Sequence, residues 1–566
     1  MKFFRWAIFL PAILVVSCST KTQSLPPDVT GQVDKVFQKW DKPDSPGCAL
    51  GVYKDGQIVY KHGYGMANLN DDVPITPATV FHVASMSKQF TAASIVLLAQ
   101  QGKLSLDDEV HKYIPELPDF GQPITIRNLI YHTSGLRDQW ELLGLAGWRY
   151  SQDLITNDDV MSVMTRQKDL NFKPGDKHVY CNTGYTLLGL IVKRVSGMSL
   201  REFTTKNIFE PLGMTHTHFR DDHEEIIKHD ALGYEQAGKD QPFRMNLTNF
   251  DTVGATSLHT TVEDLQLWDE NFYHPRVGGE ALVRQMLERG RLNNGEQLDY
   301  AFGLVVGHYR GLPTVDHAGA DAGYRSDMTR FPEQHFSVAV LCNSAETDPS
   351  TLARQVANIV LAKDFKVLLP APGNEHTKNG GTPPTPEQMA ALAGLFWNRD
   401  GDDFEKVQVK DGKLQIKLGG EFRTLKPAGD SSFHIADVPW GDEVELRFVP
   451  AMAEKPRHLE QSFGGGKPDI FESVTEYEPT QTELAEYMGP YVSEEIDPVY
   501  RIVLQDGNLS LTRLKNKPDK LSPTVRDVFT GDIGTVRFTR DANRRISGFI
   551  LNAGRIQNFR FSKKIG

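Results

Sequence analysis

Residues 85–102 read SMSKQFTAASIVLLAQQG, a largely apolar stretch that begins with Ser85 and Lys88. Its apolar residues recur with helical spacing and Gly102 ends it, which predicts a helix over residues 87–102 with Ser85 and Lys88 at its opening. Residues three apart share one face of a helix, so the Lys88 amine should reach the Ser85 hydroxyl. A serine becomes a nucleophile when a neighbouring base takes its proton, and a buried lysine with a lowered pKa can be that base.

The Ser-x-x-Lys pattern alone is weak evidence, because average composition gives it roughly twice by chance in a chain of this length. Its place at the start of a predicted helix strengthens it. The free N–H groups and the positive dipole end of a helix N-terminus stabilise a developing oxyanion.

A second pattern, Tyr180-Cys181-Asn182, lies within HVYCNTGYTLLGL. A phenol has a pKa near 10 and acts as a base at neutral pH only beside a cation, which Lys88 would supply. Asn182 offers both a donor and an acceptor. The simpler alternative for Tyr180 is a half-buried tyrosine whose hydroxyl is satisfied.

A third pattern, His317-Ala318-Gly319, ends the predicted strand PTVDHAG. A glycine here would let a substrate backbone lie close to the strand edge. The imidazole can orient or polarise a substrate and can share a proton near neutral pH. The chain has 17 histidines, so a purely structural His317 is the alternative.

In this order, the three patterns resemble those of serine hydrolases built on the penicillin-binding-protein and class C β-lactamase fold. NLIYHTSGL at 128–136 and HAGADAGYRS at 317–326 also look like this family, and the resemblance covers about residues 30–365.

The resemblance implies a role for each motif residue. Ser85 would be the acylated nucleophile, with Lys88 and Tyr180 sharing the general acid–base work. The substrate-binding residues would be Asn182, His317 and Gly319. The backbone N–H groups of Ser85 and Ala320 would form the oxyanion hole, in which each donor is typically worth about 3 kcal/mol.

The third motif departs from the Lys-Thr-Gly that β-lactamases of this fold usually carry. An imidazole and a methyl group at His317 and Ala318 should capture a β-lactam carboxylate poorly. His-x-Gly looks instead like the D-aminopeptidases and DD-peptidases of the family, and like some esterases. We therefore expect acyl-enzyme hydrolysis of small amides or peptides that contain D-amino acids. A β-lactamase, an esterase and a catalytically silent binding protein remain as alternatives.

The C-terminal tail repeats itself with an offset of 95 residues. Asp411-Gly412 aligns with Asp506-Gly507, and each pair lies between alternating segments, which is typical of a β-hairpin. Residues 370–388 are rich in Pro and Gly and indicate a linker. Two copies of this length suggest domain duplication.

The predicted fold class is therefore α+β. A β-lactamase/penicillin-binding-protein-like domain at 28–365, with an antiparallel sheet and helices, precedes a linker at 366–388. Two small lipocalin-like antiparallel β-barrels follow at 389–475 and 476–566. This layout is similar to the architecture of bacterial D-aminopeptidases.

The first 18 residues predict export. Lys2 and Arg5 precede the apolar run Trp6–Val16, which is too short to span about 30 Å of hydrocarbon as a helix. Val15-Val16-Ser17-Cys18 resembles a bacterial lipobox, in which Cys18 is lipidated. Ordinary cleavage after Ser17-Cys18-Ser19, where Ser17 and Ser19 are small, is the competing interpretation. We expect a periplasmic protein that is anchored to the cell envelope by a lipid.

The composition of the chain limits the classes of partner that the protein can bind. The net charge of −11 without a basic block argues against nucleic-acid binding. The predicted partners are a small substrate and, through the lipid alone, a membrane. No metal or other cofactor is expected. We expect Cys48, Cys181 and Cys342 to be buried small residues, and the sequence leaves open which pair, if any, is oxidised.

Overall fold

The computed structural model describes residues 24–238, 241–367, 383–418, 421–429, 431–435, 444–452, 455–463, 467–514 and 516–564. The predicted export signal at 1–18, with Cys18, lies outside these residues, as does most of the predicted linker at 366–388. Within the described ranges, no helix is both long enough and apolar enough to cross a membrane. A mixed domain of helices and strands precedes two antiparallel β units, which confirms the predicted α+β class.

The first domain is built on a six-stranded antiparallel sheet whose strands come from both ends of the domain. In sheet order they are β10 (Val305–Tyr309), β11 (Leu312–Asp321), β12 (Tyr324–Phe331), β13 (Phe336–Cys342), β1 (Cys48–Lys54) and β2 (Gln57–Tyr64). The predicted hairpin at Asp55-Gly56 is confirmed: it joins β1 to β2, and both turn residues have positive φ, 49° and 74°.

Seven short strands lie between β2 and β10 in the chain. They are β3 (Met66–Asn68), β4 (Val73–Pro74), β5 (Phe81–His82), β6 (His218–Phe219), β7 (Tyr234–Gln236), β8 (Phe243–Met245) and β9 (Leu258–Thr260). The strand β9 lies between β5 and β6 in a three-stranded sheet. Strand β5 of this sheet comes directly before the turn that carries Ser85.

Two hydrophobic cores involve the six-stranded sheet. Helices α1 (Pro27–Phe37) and α11 (Pro349–Val360) share one core with the sheet residues Val52 and Phe336. The other core is formed by α2 (Ser87–Gln100), α3 (Ile126–Ile130), α4 (Gln139–Leu145), α5 (Asn157–Met164), α6 (Asn182–Ser196), α7 (Leu200–Thr204), α8 (Glu210–Leu212), α9 (Val262–Glu270) and α10 (Gly279–Met286).

Helix α2 is buried on every side from Ser87 to Leu98. It confirms the helix predicted from residue 87 onward. Ser85 lies in a preceding turn of 3-10 helix, Ala84–Met86. A helix with no solvent face can place a charged side chain only inside the protein. The Lys88 amine is therefore buried.

The first tail unit is one nine-stranded antiparallel sheet that curls into a nearly closed barrel. Its strands are β14 (Gly394–Asn398), β15 (Asp403–Lys410), β16 (Lys413–Leu418), β17 (Glu421–Thr424), β18 (Lys426–Gly429), β19 (Ser432–Ile435), β20 (Val444–Val449), β21 (His458–Phe463) and β22 (Asp469–Val474). The edge strands are β17 and β18, and no pairing joins them among the described residues.

The second tail unit is a closed eight-stranded barrel. Its strands are β23 (Gly489–Val492), β24 (Tyr500–Gln505), β25 (Asn508–Thr512), β26 (Asp519–Pro523), β27 (Val528–Gly531), β28 (Gly534–Arg540), β29 (Ile546–Ala553) and β30 (Ile556–Lys563). Each tail unit begins with a short helix that a threonine caps: α12 (Pro386–Leu392) after Thr385 and α13 (Gln481–Glu486) after Thr480. The structure therefore repeats along with the sequence.

The second barrel packs directly on the first domain. The Arg137 guanidinium donates to Glu495 at 2.5 Å, and these side chains are 0% and 5% exposed. The Tyr500 hydroxyl donates to the carbonyl oxygen of Leu145 at 2.8 Å. Removing one partner of such a buried ion pair costs about 3–5 kcal/mol, because the other is left as an unpaired buried charge.

Cys48 and Cys342 form a disulfide across the paired strands β1 and β13. The two residues are 294 positions apart in the chain, and only the strand register brings them together. The Cys181 thiol is free and buried. All three cysteines are buried, as predicted, and the structure supplies the pairing that the sequence left open.

Candidate active site

The predicted nucleophile Ser85 lies in a tight turn between β5 and α2. The preceding residue, Ala84, has a φ of 48°, a left-handed conformation that costs a non-glycine residue about 1–2 kcal/mol. The carbonyl oxygen of Val83 accepts hydrogen bonds from the Met86 N–H at 3.1 Å and from the Ser326 hydroxyl at 2.8 Å. These bonds hold the strained turn against β12.

Gly319 lies against the same turn. A Cβ atom at this position would be 2.4 Å from the Val83 carbonyl oxygen and 3.0 Å from the Ser85 nitrogen, so no other residue fits. Strand β10 pairs with β11 only as far as Asp316. The edge of β11 beyond Asp316 is therefore free of β10, and the Ser85 turn lies against it there. The glycine thus permits an approach of the protein's own backbone. Its predicted role in binding substrate stays a prediction.

The Lys88 amine lies among three hydrogen-bond acceptors. Its Nζ atom donates to Ser85 Oγ at 2.9 Å, to Asn182 Oδ1 at 2.9 Å and to the Ala255 carbonyl oxygen at 2.7 Å. The side chain is 0% exposed, and none of these acceptors is a carboxylate.

Burial is therefore the main influence on Lys88, and it lowers the pKa of this amine to about 7. The negative charges of Asp138 and Asp321 offset the shift only in part. About half of the Lys88 amines are neutral near pH 7, and a neutral amine beside the Ser85 hydroxyl can take its proton.

Tyr180 also lies at the serine. The Lys88 Nζ atom is 4.8 Å from the centroid of the phenol ring, and the His132 ring centroid is 4.2 Å from it. Burial raises the pKa of Tyr180 above its ordinary value, while a hydrogen bond with Ser85 and the charge of Arg555 lower it in part. The phenol therefore keeps its proton at neutral pH, which suits a proton donor better than a first base.

Asn182 is the first residue of α6, and its position is set by the buried carboxylate of Asp138. Asp138 Oδ2 accepts the Asn182 backbone N–H at 2.6 Å and its side-chain Nδ2 at 3.0 Å. The other side-chain atom, Oδ1, accepts from Lys88. One hydrogen of the Asn182 amide stays available for the predicted contact with the substrate amide.

His317 is buried, and both of its ring nitrogens have protein partners. Nε2 lies 3.0 Å from the Tyr300 hydroxyl, and Nδ1 lies 2.6 Å from the Ala318 carbonyl oxygen. Burial and the nearby Lys88 lower the pKa of His317 to about 4. The imidazole is therefore neutral at pH 7, and this favours a positioning role over proton exchange with a substrate. Its predicted role in binding substrate stays a prediction.

A cavity of about 180 Å³ opens above the serine. Its walls contain the predicted nucleophile and oxyanion-hole residues together with other residues of the mixed domain and one of the second barrel: Ser85, Trp140, Tyr150, Tyr180, Asn182, Thr256, Ala320, Asp321 and Arg555. Arg555 comes from the second barrel. The structure therefore brings together the predicted Ser85, Lys88, Tyr180, Asn182 and Ala320, and it adds a side chain from the tail.

No sequence pattern points to two charged residues of this site, Asp138 and Arg555. Asp138 lies two residues beyond the family-like stretch at 128–136, but no motif distinguishes it from the other acidic residues. Arg555 lies in the Gly554-Arg555 turn between two strands, which predicts a hairpin tip but gives no information on where that tip docks.

Comparisons with known proteins agree with this geometry. The family model "Beta-lactamase" matches residues 33–362, which is more than half of the chain. Penicillin-binding protein 4* of Bacillus subtilis (strain 168) is 33% identical over 412 residues, which cover 70% of this chain and 88% of that protein. Protein flp of Staphylococcus aureus (strain N315) is 30% identical over 353 residues, covering 60% and 68%. The chain belongs to the β-lactamase family and is a serine hydrolase.

Solved structures share the fold. The octameric penicillin-binding protein homologue from Pyrococcus abyssi superposes with a TM-score of 0.54 at 23% identity, over 87% of this chain and 99% of that one. The D-amino acid amidase from Ochrobactrum anthropi SV3, complexed with L-phenylalanine amide, gives 0.50 at 22% identity, over 60% and 99%. The first match extends well beyond the mixed domain and includes tail residues.

The lowered pKa of Lys88 predicts the pH dependence of ester hydrolysis. Only the neutral amine accepts the Ser85 proton, so kcat/KM for 4-nitrophenyl hexanoate should rise tenfold per pH unit from pH 5 and reach half of its plateau near pH 7. Lys88→Arg, whose guanidinium stays charged, should lose at least about 100-fold in kcat/KM.

The matched control is Lys103→Ala, an exposed lysine just beyond the same helix, which should keep the wild-type profile. The histidine and tyrosine pKa values at the site are displaced away from neutrality, so they do not explain a midpoint near 7. A flat profile between pH 5 and 8 would contradict the assignment of Lys88.

Proposed function

We propose that this member of the β-lactamase family is an exported serine hydrolase that forms an acyl-enzyme on Ser85. Its substrates are small amides or peptides that contain D-amino acids. The observation that carries the proposal is the 2.9 Å contact between a buried Lys88 amine and the Ser85 hydroxyl, with no carboxylate among the amine's hydrogen-bond partners.

The reaction begins when the neutral Lys88 amine takes the Ser85 proton and Oγ attacks the substrate carbonyl. The carbonyl oxygen becomes an oxyanion, which the N–H groups of Ser85 and Ala320 stabilise. The protonated Tyr180 phenol, which lies beside the Lys88 amine, gives the departing amine its proton and regains one from Lys88. The C–N bond breaks, and the acyl group stays on Ser85 Oγ.

Deacylation runs the same steps with water. A water molecule in the place of the departed amine gives its proton to the same Lys88–Tyr180 pair and attacks the acyl carbonyl. The C–O bond to Ser85 breaks, and Oγ recovers a proton from Lys88. Two proton-transfer groups with well-separated pKa values support both halves of the reaction.

The substrate class is inferred from the third motif and from the size of the cavity. His317 offers no charge at neutral pH, and the Ala318 methyl group lacks the hydroxyl of the usual β-lactamase motif. About 180 Å³ suits a small acyl group. The D-amino acid amidase that shares the fold is consistent with this choice.

Export is proposed from the N-terminal sequence and is supported by the Cys48–Cys342 disulfide. Disulfides persist in oxidising compartments such as the bacterial periplasm and are rare in the cytosol. We propose further that Cys18 is lipidated and holds the mature enzyme at the cell envelope. A single lipid chain binds a membrane weakly, so a lasting anchor requires more than one chain.

A panel of substrates tests the chemistry. D-Alanine 4-nitroanilide should be hydrolysed at least about tenfold faster than its L counterpart, and a fluorescent phosphonate probe should label the wild type but not Ser85→Ala. The control Ser94→Ala changes another serine of the same helix and should be labelled as the wild type is. Equal rates for the two anilides would contradict the D-amino-acid proposal. Nitrocefin turnover that exceeds turnover of the D-anilide would favour a β-lactamase.

Metabolic labelling with a palmitate analogue tests the anchor. The full-length chain expressed in a bacterial host should take up the label and sediment with membranes, whereas Cys18→Ser should do neither. Ser19→Ala, a change at the adjacent residue, is the control and should still be labelled. An unlabelled wild-type protein released by osmotic shock would indicate ordinary cleavage instead of lipidation.

A further inference from the structure

The tip of one hairpin of the second barrel enters the cavity above Ser85. The strands β29 and β30 are joined by Gly554-Arg555, and the buried Asn171 side chain of the first domain binds the backbone of the tip at two residues. Asn171 Nδ2 donates to the Arg555 carbonyl oxygen at 2.8 Å, and its Oδ1 accepts the Gln557 N–H at 2.8 Å. Arg137 donates to the carbonyl oxygen of Asn558 at 3.2 Å. The backbone of the tip is thus fixed by buried polar groups.

The Arg555 guanidinium has few partners of its own. It lies over the Tyr180 ring, 5.0 Å from the centroid, and its closest charged neighbour is Asp138 at 3.5 Å. That carboxylate already accepts N–H groups from Trp140 and from Asn182. The Arg555 side chain stays 41% exposed, and no side-chain hydrogen bond from it joins another described residue.

The other acidic groups near the cavity do not neutralise this charge. Burial and the Asp138 carboxylate raise the pKa of Glu141, which favours its neutral form. On the Ala320 side, Asp321 Oδ2 accepts from the Thr256 hydroxyl and lies 3.0 Å from His82 Nε2. The guanidinium therefore forms one ion pair among the described residues, with Asp138, and its remaining N–H donors are available to whatever occupies the cavity.

We propose that Arg555 binds a carboxylate on the acyl part of the substrate. The Asp138 oxygen that faces Arg555 is the same atom that holds Asn182, the residue predicted to hold the substrate amide. An anion on the acyl group would therefore reach Arg555 while the scissile carbonyl lies at Ser85. A guanidinium binds a carboxylate through two parallel hydrogen bonds, which makes it well suited to this role. The proposal rests on acyl transfer at Ser85 and adds to it a preference for acyl groups that carry a carboxylate over matched neutral ones.

Two esters of equal chain length test the charge preference. The mono-4-nitrophenyl ester of adipate carries an acyl carboxylate, and 4-nitrophenyl hexanoate carries a methyl group in its place. The wild type should prefer adipate, and Arg555→Gln should lower the ratio of the two kcat/KM values about 10- to 100-fold, the range expected for one hydrogen-bonded charge. Arg555→Lys should retain part of the ratio, and Arg555→Glu should favour the 6-(trimethylammonio)hexanoate ester.

Arg560→Gln is the matched control. Arg560 lies on β30, the strand that follows the Arg555 turn, and pairs with Asp169 of the first domain at 3.4 Å, but it does not line the cavity. Its variant should keep the wild-type ratio. Equal wild-type rates for the two esters, or a ratio that Arg555→Gln leaves unchanged, would overturn the inference. The same loss of ratio in Arg560→Gln would also overturn it, because the cause would then be general surface charge. The comparison of D- and L-alanine 4-nitroanilides tests the D-amino-acid proposal separately.

Discussion

The site depends on one constraint, the burial of the Lys88 ammonium without a carboxylate partner. Helix α2 has no solvent face along most of its length, so the lysine side chain cannot reach water. Its hydrogen bonds go to a hydroxyl, an amide oxygen and a backbone carbonyl, none of which compensates a full charge. The cost of this burial appears as a lowered pKa, and the lowered pKa makes the amine a base at neutral pH. The strained turn at Ala84 completes the pair by presenting the serine to that amine.

The Asp138 carboxylate links this centre to the rest of the molecule. It fixes the first residue of α6, and thereby Asn182 and the Lys88 amine, and it faces Arg555 of the second barrel. Residue 137 forms the buried ion pair that docks the same barrel. Two adjacent residues thus connect the acid–base chemistry with the position of the tail. The tail is therefore part of the wall of the active-site cavity as well as an appended unit.

Much of this arrangement could be predicted from the sequence, because it depends on local spacing. The Ser-x-x-Lys pair follows from helix geometry, and the Asp-Gly hairpins and the 95-residue repeat are short-range signals. The sequence predicts the start of α2 at Ser87 but not the 3-10 turn that holds Ser85, because one left-handed alanine has no sequence signal. The disulfide and the docking of Arg555 depend on long-range register and on barrel placement. The environment of His317 depends on Tyr300, a residue outside every motif.

The proposed mechanism requires the Lys88 amine to lose its extra proton near neutral pH, so direct titration of Lys88 is the closest test. In protein labelled with ¹³C at the lysine ε-carbon, the Lys88 resonance can be assigned by its loss in Lys88→Arg and followed between pH 5 and 11. If the buried Lys88 amine is the base for Ser85, its midpoint lies near 7, well below that of the exposed lysines. A midpoint near 10 would show an amine that stays charged at neutral pH, and it would contradict the assignment of Lys88 as the base for Ser85.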